Sequence, residues 1–559
     1  MSTRRPITFL LLVALSCGTP LSAQDARELS AQVDVLFSDV YGAESPGAAV
    51  LVVSEGEVVH RRGYGSANLE HGIPITPETV FDIASVSKQF AGMAIAVLVE
   101  DSVIGLDDDI RDYIPEVPNF GVTITVRHLV HHMSGIRDWP STLAVAGWQM
   151  DDVISFEQIL HMVWTQRELN FVPGEEYSYS NTGYNLLAEL VQRVTGQSFR
   201  EWTEQHIFAP LGMEHTHFQD DHTELVPNRA AAYGFDEGVY SNIGNGLTAL
   251  GSSSLFTTID DLGAWLLNFD DHRVGGTAVI ERMRTRGVLN SGREISYAYG
   301  LNVRGYRGRN TVSHGGSWAG FRTFLLHFPE ERFGVVVLAN DARMAAGRRA
   351  HQIADIYLGD RLTPQPAAAS NWALLPKVDV PDEMLEQYVG TYRLGPGWLV
   401  TFTRDGDSLL VQATAEPQFH TRAISLSEFY VPAYGAAMRF RRDSTGAVTH
   451  LTYRDIIAGR VELRPPTAEE LPQYEGSYVS EELQTAYEVV PRDGELVMRH
   501  PRHGDIALIP LLEDEFRGEA WFLRSVRFHR NGEGEVTALS VSHRRSRNLR
   551  FERTDRPGQ

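Results

Sequence analysis

Lysine is nearly absent from this 559-residue chain. Lysine and arginine total 50, and only two of these, Lys88 and Lys377, are lysines. Arginine therefore serves almost every ordinary need for a cation. A guanidinium cannot shed its proton at working pH, so a surviving lysine marks a place where a removable proton has value. Cysteine is scarcer still. Cys17 is the single one, and it lies in an N-terminal stretch with the marks of a secretory leader. Arg4 and Arg5 form the charged start, Ile7 to Leu15 the apolar run and Leu21-Ser-Ala23 the small-residue cleavage site. Cleavage after Ala23 leaves no thiol, which excludes disulfides, cysteine catalysis and thiolate metal sites. The alternative, lipid attachment at Cys17, fits poorly because Ala14-Leu-Ser-Cys17 departs from that pattern. No later stretch is long and apolar enough to span a bilayer. A basic surplus is lacking too. The net charge of −22 gives no support for nucleic-acid binding. The expectation is an exported, periplasmic or extracellular protein.

What is present centres on Phe81-Asp-Ile-Ala-Ser-Val-Ser-Lys-Gln-Phe90. Ser85 and Lys88 stand three apart at the head of a run with Phe90, Ala94, Val97 and Leu98 at helical spacing. That spacing puts the Lys88 amine beside the Ser85 hydroxyl. A serine alcohol needs a neighbour to take its proton, and burial lowers a lysine pKa enough for it to serve. Lys377 falls in a Pro- and Ala-rich break and is set aside. Tyr179 and Asn181 follow in Phe171-Val-Pro-Gly-Glu-Glu-Tyr-Ser-Tyr-Ser-Asn-Thr-Gly-Tyr184, a loop before a helix. A phenol beside an ammonium has its anion favoured, which makes Tyr179 a candidate base. Asn181 offers an amide to orient substrate and Lys88. The bland alternative is a helix start capped by Ser180 or Asn181.

Val312-Ser-His-Gly-Gly-Ser-Trp-Ala-Gly320 supplies the third stretch. Gly315 and Gly316 permit close backbone approach, and the Ser317 N–H could join that of Ser85 as an oxyanion hole. The alternative is a glycine bulge at the end of an edge strand. His128, His131 and His132 lack metal-site spacing and read as structural.

Two hairpins, Ala48–Tyr64 and Thr323–Leu338, bracket a helical region and predict one antiparallel sheet made from both ends of a domain. A break follows over 362–381. Beyond it the chain repeats. Leu385-Glu-Gln-Tyr-Val-Gly-Thr-Tyr392 is echoed by Leu471-Pro-Gln-Tyr-Glu-Gly-Ser-Tyr478, and Arg404-Asp-Gly by Arg492-Asp-Gly. Two small antiparallel β-barrels or sandwiches are expected. The expected division is a leader over 1–23, a catalytic domain over 24–362, a linker over 363–383 and β-modules over 384–466 and 467–559.

Ser85-Val-Ser-Lys88, Tyr179-Ser-Asn181 and His314-Gly-Gly-Ser317, in that order, resemble the serine hydrolase family of class C β-lactamases, penicillin-binding DD-peptidases, D-aminopeptidases and related esterases. Ile124-Thr-Val-Arg-His-Leu-Val-His-His-Met-Ser-Gly135 and Gly251-Ser-Ser-Ser-Leu-Phe-Thr-Thr258 add landmarks, and the likeness covers roughly residues 45–340. It implies an α/β (α+β) β-lactamase/transpeptidase-like fold, an antiparallel sheet with helices and a helical lobe. Ser85 would be acylated, Lys88 and Tyr179 would move protons, and Asn181 would support them. The Ser85 and Ser317 N–H groups would hold the oxyanion, with no metal or cofactor needed. Where class C β-lactamases carry Lys-Thr-Gly this chain has His314-Gly-Gly, which puts efficient β-lactam hydrolysis in doubt. His-x-Gly with two trailing lipocalin-like modules looks more like the D-aminopeptidase arrangement. The expected substrates are small D-amino-acid-containing peptides or esters, including cell-wall-derived ones. The alternatives are a weak β-lactamase or DD-carboxypeptidase, or a non-catalytic receptor for cell-wall fragments.

Overall fold

The structure, a computed structural model, describes residues 23–40, 42, 44–364, 375–454 and 456–554. Cys17, nearly all of the expected leader and most of the expected linker lie outside them. Among the described residues no helix is long and apolar enough to cross a membrane.

A six-stranded antiparallel sheet is built from β1 (Ala48–Ser54), β2 (Glu57–Tyr64), β3 (Asn302–Tyr306), β4 (Arg309–Trp318), β5 (Phe321–Phe328) and β6 (Phe333–Ala339), in the order β3-β4-β5-β6-β1-β2. Ala48 lies opposite Ala339 and Ser54 opposite Phe333, so the two ends of this region join at the sheet centre as expected. Glu55 and Gly56, both at positive φ, turn β1 into β2.

Both central strands are buried along their whole length, and their two faces serve different cores. Val50 and Val52 pack with Val33 of α1 (Ala23–Leu36), with Phe37 just beyond it, and with Ala350 and Ile353 of α5 (Ala346–Leu358). Ala49, Leu51 and Val53 join the large core that contains α2 (Lys88–Glu100), α3 (Asn181–Thr195) and α4 (Ile259–Asp271). A strand with two buried faces cannot alternate apolar with polar, which explains the unbroken Val/Leu/Ala run. Each such Val or Leu contributes roughly 1.5–3 kcal/mol by burial.

The two C-terminal sheets repeat in structure what they repeat in sequence. Tyr392 donates to the carbonyl of Tyr388 at 3.1 Å, and Tyr478 to that of Tyr474 at 2.8 Å. The Tyr388 ring lies 4.3 Å from Phe440, and the Tyr474 ring 4.7 Å from Phe528. They differ in closure. The second is a closed eight-stranded barrel, whereas the first is a nine-stranded sheet whose terminal strands do not pair.

The closed barrel does not simply trail behind. Ala144 and Val145 share its apolar core. Arg137 reaches it with a buried ion pair to Glu482 and with hydrogen bonds to the carbonyls of Arg547 at 3.0 Å and Asn548 at 3.1 Å. Its last hairpin, β7 (Val536–His543) and β8 (Ser546–Thr554), is held at the turn, where the Arg545 carbonyl accepts the Asp138 N–H at 3.1 Å.

Candidate active site

Ser85 does not start an α-helix, as its spacing with Lys88 had implied. It sits in a 3-10 turn, Ala84–Ser87, that feeds into α2 at Lys88. Ala84 takes a left-handed φ of 48°, uncommon for a residue with a side chain. The turn is pinned at several points. Asp82 accepts the Ala84 N–H at 2.7 Å and the Asn245 amide at 2.8 Å, and Ser87 donates to the Ala84 carbonyl. Burial pushes the Asp82 carboxyl up to about 6. The 3-10 geometry keeps Ser85 and Lys88 on one face, because i and i+3 eclipse there.

Lys88 is fully buried. Its Nζ donates to Ser85 Oγ at 3.1 Å, Asn181 Oδ1 at 2.8 Å and the Ser252 carbonyl at 2.7 Å. Burial lowers its pKa well below that of a free lysine; Asp138 opposes the shift and Arg545 adds to it. A neutral Lys88 would turn its lone pair to Ser85 and accept that hydroxyl's proton.

Tyr179 lies against this pair, its ring centroid 4.9 Å from Lys88 Nζ. The loop that carries it is clasped by His132. The Ser178 N–H donates to the His132 carbonyl at 2.9 Å and the Ser180 N–H to His132 Nδ1 at 3.1 Å, while the imidazole packs 4.2 Å from the Tyr179 ring. The expected anionic phenol is not what this environment favours. Burial raises the Tyr179 pKa, and this outweighs the pull of Ser85 and Arg545, so the group stays protonated. Its hydroxyl is buried near Ser85 yet closes no hydrogen bond of proper geometry. Ser180 does cap the following helix, accepting from the Gly183 N–H at 3.2 Å, and Asn181 still reaches Lys88.

The third stretch is strand, as expected, but not an edge strand with a bulge. β3 pairs only as far as Ser313, so the outward backbone of His314–Trp318 has no strand partner on that side. The Ser85 turn packs on the sheet face over Gly316 and its β5 neighbour Thr323. Thr323 Oγ1 donates to the Ile83 carbonyl at 2.8 Å. A Cβ on Gly316 would meet that carbonyl at 2.2 Å and Thr323 Oγ1 at 2.1 Å. Gly316→Ala is therefore expected to push β4 off the nucleophile turn. A displacement near 1 Å costs about 10²-fold in turnover, checked by the initial rate on p-nitrophenyl acetate beside a circular-dichroism melt. A rate within threefold of wild type would contradict this packing.

His314 is buried, and burial together with Lys88 lowers its pKa to about 3. Its Nδ1 lies 2.8 Å from the Gly315 carbonyl, which can only accept, so the proton sits on Nδ1. Nε2, 3.0 Å away, then accepts from the Tyr297 hydroxyl. Neither nitrogen is left for a substrate. His128 closes a capping box with Thr125, and His131 Nδ1 lies 3.3 Å from the Tyr297 carbonyl. Lys377 is exposed and stands 3.9 Å from Asp407.

Ser85, Tyr179, Asn181, His314, Gly315, Gly316 and Ser317 line one cleft of about 760 Å³. Sequence reasoning missed Asp138, Trp139, Tyr297, Trp318 and Arg545. Asp138 is buried and accepts the Asn181 N–H at 2.6 Å and its side-chain amide at 3.2 Å, so it fixes the oxygen that Asn181 turns to Lys88. It stands three residues beyond the Gly135 that ends a quoted landmark, which is the one signal that could have flagged it.

The family model that matches is described as Beta-lactamase and covers residues 33–358. A D-aminopeptidase of Gluconobacter oxydans (strain 621H) is 32% identical over 330 residues, 58% of this chain and 62% of the relative. The chain thus spans less than two thirds of that relative. Penicillin-binding protein 4* of Bacillus subtilis (strain 168) is 25% identical over 442 residues, 76% of this chain and 96% of the relative. The octameric penicillin-binding protein homologue from Pyrococcus abyssi superposes with a TM-score of 0.55 at 21% identity, covering 86% of this chain and 99% of that one. At that identity the likeness concerns fold.

Proposed function

The chain belongs to the beta-lactamase family and is a serine hydrolase, and on that premise we propose that it cleaves a small amide or ester through an acyl-enzyme on Ser85, with D-amino-acid-containing substrates favoured. The observation that carries the reading is the buried Lys88 amine, 3.1 Å from Ser85 Oγ and held to Asn181. Neutral Lys88 takes the Ser85 proton as Oγ attacks the carbonyl carbon. The Ser85 and Ser317 N–H groups receive the oxyanion. Tyr179, kept protonated, passes a proton to the departing amine or alcohol and is reprotonated through Lys88. Water, with its proton taken by the same pair, then attacks the Ser85 ester; as the acyl–Oγ bond breaks that proton passes to Ser85 Oγ, and the acid is released with the serine restored. Asn181 and Asp138 position the amine.

The D-aminopeptidase relative supports D-amino-acid amides; the penicillin-binding relative supports a weak β-lactamase or DD-carboxypeptidase as the second reading. The occupied His314 nitrogens weigh against a lysine-like grip on a β-lactam carboxylate. Export to the periplasm or medium, and the division at residues 24–362, 384–466 and 467–559, belong to the same proposal. A fluorophosphonate probe followed by intact-mass analysis tests it. One adduct on wild type and none on Ser85→Ala is expected. Folded wild type without an adduct would favour the non-catalytic receptor. Initial rates on D-alanine amide, p-nitrophenyl acetate and a chromogenic cephalosporin rank the substrates.

A further inference from the structure

Among the described residues, Arg322, Arg348 and Arg545 all line the cleft, and no Asp or Glu does. This is notable in a chain of net charge −22. The three guanidinium groups are not equivalent. Arg322 spends Nη1 on the carbonyls of Ala319 and Phe321. Arg348 stands exposed in the first turn of α5. Arg545 comes from outside this sheet altogether, from the β7–β8 turn of the closed barrel.

That turn is anchored. The Arg545 carbonyl accepts the Asp138 N–H at 3.1 Å and the Asn170 amide at 2.9 Å, and the Arg547 N–H donates to Asn170 Oδ1 at 2.7 Å. The side chain is far less committed. Its guanidinium carbon lies 4.8 Å from the Tyr179 ring centroid. Among the described residues its one direct partner is Asp138 Oδ2, at 3.4 Å. The contact is single and long, and the same carboxylate also holds Asn181, so most of the five guanidinium donors have no hydrogen bond among the described residues. Some 40% of the Arg545 side chain remains exposed. A guanidinium has five donors in a planar fork suited to a carboxylate, and low-dielectric walls of Trp139, Tyr177 and Trp318 strengthen its field in the cleft. His314, neutral and with both nitrogens occupied, supplies no cation to the cleft.

We propose that Arg545, delivered by the closed barrel, is the anion anchor of the cleft, so that the preferred substrates carry a free carboxylate near the scissile bond. This rests on the acyl-enzyme reading above and specifies its substrate class.

Two matched pairs test it on the full chain. Mono-p-nitrophenyl succinate against its methyl ester places the charge on the acyl side. N-acetyl-D-alanyl-D-alanine against its C-terminal amide places it on the leaving side. In at least one pair the acid should be preferred by about tenfold or more in kcat/KM. Arg545→Gln should bring that ratio towards one, mainly through KM, and Arg545→Lys should retain part of it. Fluorophosphonate labelling of each variant reports whether the nucleophile site is folded. Should Arg545→Gln fail to fold, salt dependence of the wild type decides: KM for the acid should rise with ionic strength while that for the neutral partner stays flat. A wild-type ratio at or below one in both pairs, a ratio unmoved by Arg545→Gln, or equal salt responses would overturn the anchor and leave the hydrolase reading intact. Failure of every substrate together with absence of the fluorophosphonate adduct would sink the hydrolase reading first.

Discussion

Replacing Lys88 by arginine is expected to lower kcat/KM by about 10³-fold or more, with no adduct formed at Ser85. The amine sits fully buried between Ser85, Asn181 and the Ser252 carbonyl, and burial has weakened its hold on its proton. Arginine keeps a positive charge at the spot but cannot give up a proton. Lys88→Met, apolar and of similar length, separates chemistry from packing: it should melt near wild type and still not acylate. The pH profile supplies the sign. Acylation requires the neutral amine, so its rate should rise with pH through the depressed Lys88 pKa and then level off. His314, already neutral above about 3, adds no limb between pH 5 and 9. Near-normal turnover by Lys88→Arg, or a rate that falls as pH rises through this range, would remove Lys88 from the mechanism.

The second large effect lies at the junction with the closed barrel. Arg137→Ala should cost about 3–5 kcal/mol, because it strands the buried carboxylate of Glu482. The same change removes the donors that hold the carbonyls of Arg547 and Asn548. The barrel hairpin should loosen, with faster amide hydrogen exchange across β8 and a lower denaturation midpoint. Replacing both partners, Arg137→Met with Glu482→Leu, should recover much of the loss, since no charge is then left unpaired. A single mutant that melts within a degree of wild type would show that the barrel docks by other means.

These two sites mark how far the sequence could be read. Ser85 and Lys88 were visible because the spacing of three that joins them is local, and the scarcity of lysine singled out the amine. Tyr179, Asn181 and the glycines of β4 followed, since each tripeptide carries its own backbone or side-chain logic. The β1–β6 pairing was legible from two valine-rich hairpins. Tyr297 was not legible, because nothing local distinguishes a buried phenol that meets its partner across the chain, and Asp138 had only its place three residues beyond Gly135 to mark it. Arg545 reads as one more surface arginine in a hairpin turn; only the docking of the barrel turns it into the cleft. The protonation of Tyr179 was misjudged because a neighbouring cation can be inferred from sequence while the depth of burial cannot. The repeat predicted two alike modules, but closure depends on strand-end geometry that the repeated motifs do not encode.

The strand pairing at the sheet centre has a consequence for how this molecule comes into being. β1 is synthesised well before its β6 partner, which follows the whole helical region. Until β6 arrives, Ala48-Ala-Val-Leu-Val-Val53 is an uncharged, β-prone ribbon with one edge open, the kind of segment that seeds aggregation. Assembly of the sheet must wait on a long loop closure, which predicts slow folding and dependence on holding chaperones during biogenesis.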